Sequence, residues 1–326
     1  MRLLQQVPGA NRGSLGLSWR KPATPVPTGL EFTLGQLNVP GMTRRPTTDP
    51  LNLPGLILDK NVLQSLSPAE FRALASQYLL LMPDVLFFEC LKADATIRSR
   101  CFGALPDGDK PIRLAHHVGY HLQYELTHGT PLGRPDAHLI DWGYRFHEIL
   151  RGEDPLPADV AAQIDRESAE HEARVREYVE HIRLLVQRID EVCSEHGVKR
   201  PEAAQMIRAG LADLATVREY LGGSRDPSGN VWLPPVETLG PDSAIVVHFQ
   251  VTHALALKRA LDQGHEFDSD ASVERMTPML ARDLFDADYL ILGVLQGGLA
   301  TRELRLRRIF RWLRPEGDLW PSDARP

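Results

Sequence analysis

The chain has 326 residues, 43% of them hydrophobic and 25% charged, with a formal net charge of −6 at pH 7. That length buries a large core in one or two domains, and the negative balance excludes a molecule that attracts polyanions over its whole surface, so nucleic acid would have to meet a local patch. The three cysteines, Cys90, Cys101 and Cys193, share no metal-ligand spacing and read as reduced thiols. MRLLQQVPGANRG has no hydrophobic leader and no apolar run nears the ~20 residues of a membrane span, so the expectation is a cytoplasmic protein with no membrane partner.

Residues 1–50 are rich in Pro, Gly, Thr and Arg and carry no apolar period, which predicts an irregular N-terminal arm. The first strand is predicted over Leu56–Asp59. Ser67-Pro68-Ala69-Glu70 then combines a serine N-cap, a proline at the first helical position and a glutamate that completes a capping box. The helix it starts is predicted to run to about Leu80, where Met82-Pro83 breaks it. A second strand is predicted over Val85–Phe88, with Glu89 at the mouth of the next helix, and a further helix over Ile112–Leu126.

Long helical patterns follow. Ala158 to Cys193 places Val160, Ile164, Val175, Val179, Ile182, Val186 and Ile189 at spacings mostly of three and four, with Gly197 as the stop. Pro201–Leu221 reads as another helix, Ala244–Leu261 as a buried one ended by Gly264, and Pro278–Gln296 as the last large one. Gly297-Gly298 breaks that helix before a short extended segment, Leu299-Ala300-Thr301. Apolar runs as short as GLILD, DVLFF and GLAT suit buried strands of a parallel sheet better than free helices.

Four acids stand out because each is expected at a strand end or a helix start: Asp59, Glu89, Asp286 and Glu303. Carboxylates gathered within a few ångströms repel one another, and some protonate unless a cation neutralises them. Mg²⁺ or Mn²⁺ is the expected cofactor, since both favour oxygen ligands and activate water for phosphoryl chemistry. Asp283 shares a helix face with Asp286 and is a further candidate ligand, whereas Asp288 points about 200° away from Asp286. The plainer alternative for Asp59, ranked below the ligand role, is a helix N-cap after the strand. His116, His117, His121 and Glu125 form a stripe, but surface or core-edge histidines are the plainer reading, and His248 and His253 are read as structural. Arg302, Arg305 and Arg308 belong to an arginine-rich helix that could hold phosphates or pair with acidic helices or a partner protein. Trp312 and Trp320 are read as core residues.

GLILDKNVLQ, MPDVLFFECL and DLFDADYLILGVLQGGLATRE, taken in this order, resemble the acidic segments of PIN-like nucleases, and RPEG at 314–317 resembles the segment that leads to their last edge strand. The resemblance implies a three-layer α/β/α fold with a central parallel sheet, here carrying a large helical insertion. It divides the chain into an arm at 1–50, a first PIN-like part at 51–130, the insertion at 131–270 and a second part at 271–326. It implies Asp59, Glu89, Asp286 and Glu303 as catalytic and metal-binding acids, with Asp283 as a weaker ligand, Asn61 and Thr301 as supporting polar groups, and Arg302, Arg305 and Arg308 against RNA. Glu303 stands where the family more often has Asp or Asn. The implied activity is Mg²⁺- or Mn²⁺-dependent endoribonucleolysis, as in toxins of toxin–antitoxin pairs. The alternative is a catalytically weak or inactive PIN-like module that binds RNA or protein. A partner protein or a second copy could dock through the helical insertion, and a third reading makes those helices the working part of an interaction protein.

Overall fold

The computed structural model describes residues 53–105, 112–140, 156, 158–223 and 233–322, and the arm expected over residues 1–50 lies outside them. The described chain is mostly helical around a five-stranded sheet in the order β3-β2-β1-β4-β5, with every pairing parallel. β1 (Gly55–Leu58) is central. From it the chain passes through α1 (Lys60–Ser65) and α2 (Pro68–Ala75) to β2 (Leu79–Pro83), then through α3 (Asp84–Lys92) and α4 (Ala95–Gly103) to β3 (Arg113–Ala115). It returns to the other side of β1 only at β4 (Gly298–Ala300), and α11 (Leu304–Leu313) leads to the edge strand β5 (Asp318–Trp320).

Alternate residues of the strands face opposite ways, as the two-residue period of a strand requires. Leu56, Leu58, Leu80, Met82, Leu114 and Ala300 join one buried cluster with α1 to α4. Ile57, Leu81, Ala115 and Leu299 join another with α5 (Val118–His128), α9 (Ala244–Gln263) and α10 (Asp270–Gln296). Helices therefore cover both faces of the sheet, and a parallel sheet covered in this way reads as continuous apolar runs.

That property explains the main departure from the sequence reading. The second strand is Leu79–Pro83, and the predicted strand over Val85–Phe88 is instead part of α3. Both LLLMP and the VLFF at 85–88 are short unbroken apolar runs, so periodicity cannot separate them. The proline decides. Pro83 is extended (φ −56°, ψ 145°) at the strand end, and Asp84 opens the next helix. Glu89 consequently lies inside a helix rather than beyond a strand end. The helix predicted over Ile112–Leu126 likewise divides into β3 and α5, and the one predicted over Pro201–Leu221 into α7 (Arg200–Ala212) and α8 (Leu214–Gly222). Asp213 ends α7 and caps α8, its side chain accepting from the Thr216 N–H at 3.1 Å.

A third cluster joins α6 (Ala158–His196) and α7 to the second half of α9 and the first half of α10, through Val179, Ile182, Ile189, Ala260, Leu280 and Leu284. α9 and α10 thus run from this helical cluster onto the sheet. Residues 244–263 fall within the range read as an insertion, yet Val246, Val247 and Phe249 pack in the same core as Ile57 and Leu81. The turn from α10 into β4 needs its two glycines. Gly297 sits at φ +79°, and a Cβ on Gly298 would come within 2.5 Å of the Gly55 carbonyl oxygen.

α9 is pinned by a carboxylate from another helix. Glu125 on α5, 2% exposed, accepts from the Ser243 hydroxyl at 2.7 Å, the Ala244 N–H at 2.6 Å and the Ile245 N–H at 3.1 Å. Glu125→Ala leaves those donors buried without a partner, a loss of about 2–4 kcal/mol. Urea unfolding should show a lower midpoint with an unchanged slope, and an unchanged midpoint would contradict this role.

Candidate functional site

The strand order reverses at β1 and β4, because the chain leaves β1 on one side and comes back on the other. In open parallel sheets that switch point, at the carboxyl ends of the strands, is where ligands bind. Asp59 follows β1 and Thr301 follows β4, so both lie there. The strand ends are stitched by the Asp59 N–H donating to the Ala300 carbonyl at 3.1 Å and by the Thr301 hydroxyl donating to Asp59 Oδ2 at 2.6 Å. Asp59 is 1% exposed, and its Oδ1 accepts from the Asn61 backbone N–H at 3.0 Å as the N-cap of α1. Asn61 therefore serves Asp59 through its backbone, while its side chain faces outward.

Asp286 and Glu303 approach from α10 and from the residue that starts α11. Burial, followed by repulsion from Glu303, pushes Asp286 up to about 8, although the Arg305 guanidinium opposes the shift. Burial pushes Asp59 up to about 6, with smaller contributions from Glu303 and Glu89, even though Thr301 and Asn61 both stabilise its charged form. The Thr301 hydroxyl also accepts from the Glu303 N–H at 3.1 Å.

Glu89 reaches the same edge from α3. Lys60 donates to its Oε1 at 3.1 Å, and the buried Tyr289 hydroxyl donates to its Oε2. Sequence reading missed both partners. Lys60 directly follows Asp59, and Tyr289 lies three residues after Asp286 on the same helix face, which is the signal that could have marked it.

Asp283 is differently placed. It is 1% exposed, and both its oxygens are taken by arginine: Arg259 Nε at 2.6 Å and Nη2 at 2.9 Å, and Arg305 Nη1 at 2.6 Å. Arg305 also donates to Asp286 Oδ2 at 2.6 Å and to Glu303 Oε1 at 3.1 Å. Its guanidinium is thus held among three carboxylates rather than turned outward with Arg308, which is exposed. Arg302, also exposed, lies 5.5 Å over the Trp320 ring and 3.7 Å from Glu70. Arg307 and Arg311 donate to backbone carbonyls around the C-terminal strand, and Arg314 donates to the Val294 carbonyl of α10. Much of the arginine run therefore braces the chain's own end.

Asp288 pairs with Arg174 of α6 through two contacts of 3.2 Å, away from the acids of the switch point. Asp84, at the end of β2, is 4% exposed and burial raises it well above the usual carboxylate range. Of the histidine stripe, Glu125 is committed to α9, and burial drives His121 down to about 3, so its ring is neutral. Among the described residues, no three Asp, Glu, His or Cys side chains lie together closely enough to hold a metal ion by themselves. No helix among them is long and apolar enough to cross a membrane. Comparison with protein-family models, with curated proteins and with solved structures finds no match to this chain.

The raised values carry a sign. A carboxyl group whose folded value lies above its unfolded one, near 3.8, keeps its proton in the folded protein while the unfolded chain loses it. Its contribution to stability is therefore lost as pH climbs, between about 4 and 8 for Asp286. In cation-free buffer, Asp286→Asn should flatten the fall of unfolding free energy with pH relative to the unaltered protein, by up to about 1.4 kcal/mol per pH unit in that window. Denaturant titrations at a series of pH values measure the difference, which cancels the opposing slopes of the buried histidines. Parallel slopes would show that Asp286 is ionised throughout.

Proposed function

We propose that this chain is a PIN-like endoribonuclease that depends on a divalent cation. The observation that carries the reading is that Asp59, buried at the switch point and held by Thr301 and Asn61, has no cationic partner among the described residues, while Asp286 from the far end of the described sequence is charge-coupled to it and has Arg305 as its cationic partner. A parallel sheet with helices on both faces and acids at its carboxyl edge is also the fold implied by the resemblance of GLILDKNVLQ, MPDVLFFECL and DLFDADYLILGVLQGGLATRE.

The donor set fits Mg²⁺ or Mn²⁺. It is all oxygen, and such ions are commonly held by one or two carboxylates, with waters and substrate phosphate completing the shell. Asp59 and Asp286 would hold the ion, with Glu303 and Glu89 flanking it. Bound there, the cation would supply a lowered pKa for water and stabilisation of charge on phosphorus-bound oxygens.

The protein's own part is orientation. The Thr301 hydroxyl and the Asn61 N–H grip the two oxygens of Asp59 separately, so the carboxylate cannot rotate. Tyr289 and Lys60 do the same for Glu89. Asp283, saturated by Arg259 and Arg305, anchors the arginines rather than the ion. Arg302 and Arg308, exposed on the adjoining segment, are the groups proposed to meet RNA phosphates.

One observation favours the second reading, a module that binds RNA or protein without cutting. Lys60 and Arg305 already neutralise Glu89, Asp286 and Glu303 in part. Cleavage of a labelled RNA in Mn²⁺ separates the two. The unaltered protein should cut, and Asp59→Asn should lower the rate by at least about 100-fold, the scale expected for losing a metal-ion contribution, with its circular dichroism spectrum unchanged. An unaltered protein that stays inert across a Mn²⁺ titration would favour the binding module, and full activity in Asp59→Asn would remove that residue from the chemistry.

A further inference from the structure

We propose that Arg305 is a displaceable internal counter-ion, a built-in cation that trades places with the divalent ion and sets the concentration at which the site loads. The inference rests on the cation-dependent reading above and deepens it. Arg305 lies in the first turn of α11, two residues beyond Glu303, with its side chain 19% exposed. Its three nitrogens each take a different carboxylate: Nη1 meets Asp283 at 2.6 Å, Nη2 meets Asp286 at 2.6 Å and Nε meets Glu303 at 3.1 Å.

The acid at one end of this fan does not depend on Arg305. Asp283 keeps a two-point contact with Arg259 of α9 whether or not Arg305 stays, so it remains neutralised. The contacts that Arg305 alone supplies are those to Asp286 and Glu303, the two of its three partners proposed to hold or flank the ion. A divalent cation arriving there competes directly with the guanidinium. Its two charges replace one, so exchange is favoured once the ion is abundant, and the side chain is exposed enough to swing into solvent.

A residue that only braces α10 against α11 would lower stability when removed and leave cation affinity unchanged or weaker. A counter-ion does the opposite to affinity. Removing a positive charge a few ångströms from the ion should tighten Mn²⁺ binding on the order of tenfold. The test is isothermal titration of Mn²⁺ into the full chain in four forms: unaltered, Arg305→Gln, Arg305→Lys and Asp59→Asn. Arg305→Gln should bind about tenfold tighter than the unaltered protein, Arg305→Lys should fall between them, and Asp59→Asn should lose the binding. If the unaltered protein binds Mn²⁺ through Asp59 but Arg305→Gln binds it equally or more weakly, the counter-ion role is wrong while the cation-dependent reading stands. If neither the unaltered protein nor Arg305→Gln binds Mn²⁺, that reading fails and takes this one with it. Should circular dichroism show Arg305→Gln unfolded, Arg305→Lys decides, and an affinity equal to that of the unaltered protein overturns the proposal.

Discussion

Carboxylates buried beside one another repel, and the lower the local polarity the more strongly they do so. The edge of this sheet is organised around that constraint. Asp59 hangs between β1 and β4, gripped by the Thr301 hydroxyl and the Asn61 N–H, and faces Glu303 and Glu89. Each neighbouring acid has a compensating partner: Lys60 and Tyr289 for Glu89, Arg305 for Asp286 and Glu303, Arg259 for Asp283. Asp59 has hydrogen bonds but, among the described residues, no ion pair, and burial lifts it to about 6. On the cation-dependent reading proposed above, that missing partner is what a divalent ion would supply.

The elements that deliver these groups are set by packing that has no direct part in the chemistry. α10 begins among the helices that pack with α6 and α7, through Leu280 and Leu284, and ends against the sheet, through Leu290, Ile291 and Leu292. Asp283 and Asp286 sit between these two zones, so the position of the site depends on both. Arg259 arrives from α9, which makes the same double passage and is itself held at its start by Glu125. The helical segment is therefore continuous with the sheet core in its last helices, and it supplies a charge that the acids need.

Much of this was legible in the sequence, for identifiable reasons. The capping box at Ser67 and Glu70 forms as read, because its signature is local. Gly197 stops α6 at a positive φ, and Gly297-Gly298 turns α10 into β4, because only glycine fits there cheaply. What was not legible depended on contacts between distant residues. LLLMP and the VLFF at 85–88 are both short apolar runs, and only the completed sheet shows that the first pairs with β1 and the second covers it. The acids could be singled out by position, but their partners could not. Nothing in the run around Arg305 distinguishes a side chain turned inward to three carboxylates from Arg308, which faces solvent. The commitment of Glu125 to α9 depends on Ser243, 118 positions away.

On the proposed reading, Asp59 and Asp286 share one divalent cation at the switch point between β1 and β4. A crystal structure of the protein grown with Mn²⁺, with anomalous diffraction collected to locate the ion, tests it most directly. The expected result is an anomalous peak within coordinating distance of carboxylate oxygens of both residues, with the Arg305 guanidinium turned away from Asp286. A crystal saturated with Mn²⁺ whose carboxyl edge shows no peak, with Arg305 still bound to Asp286, would contradict it.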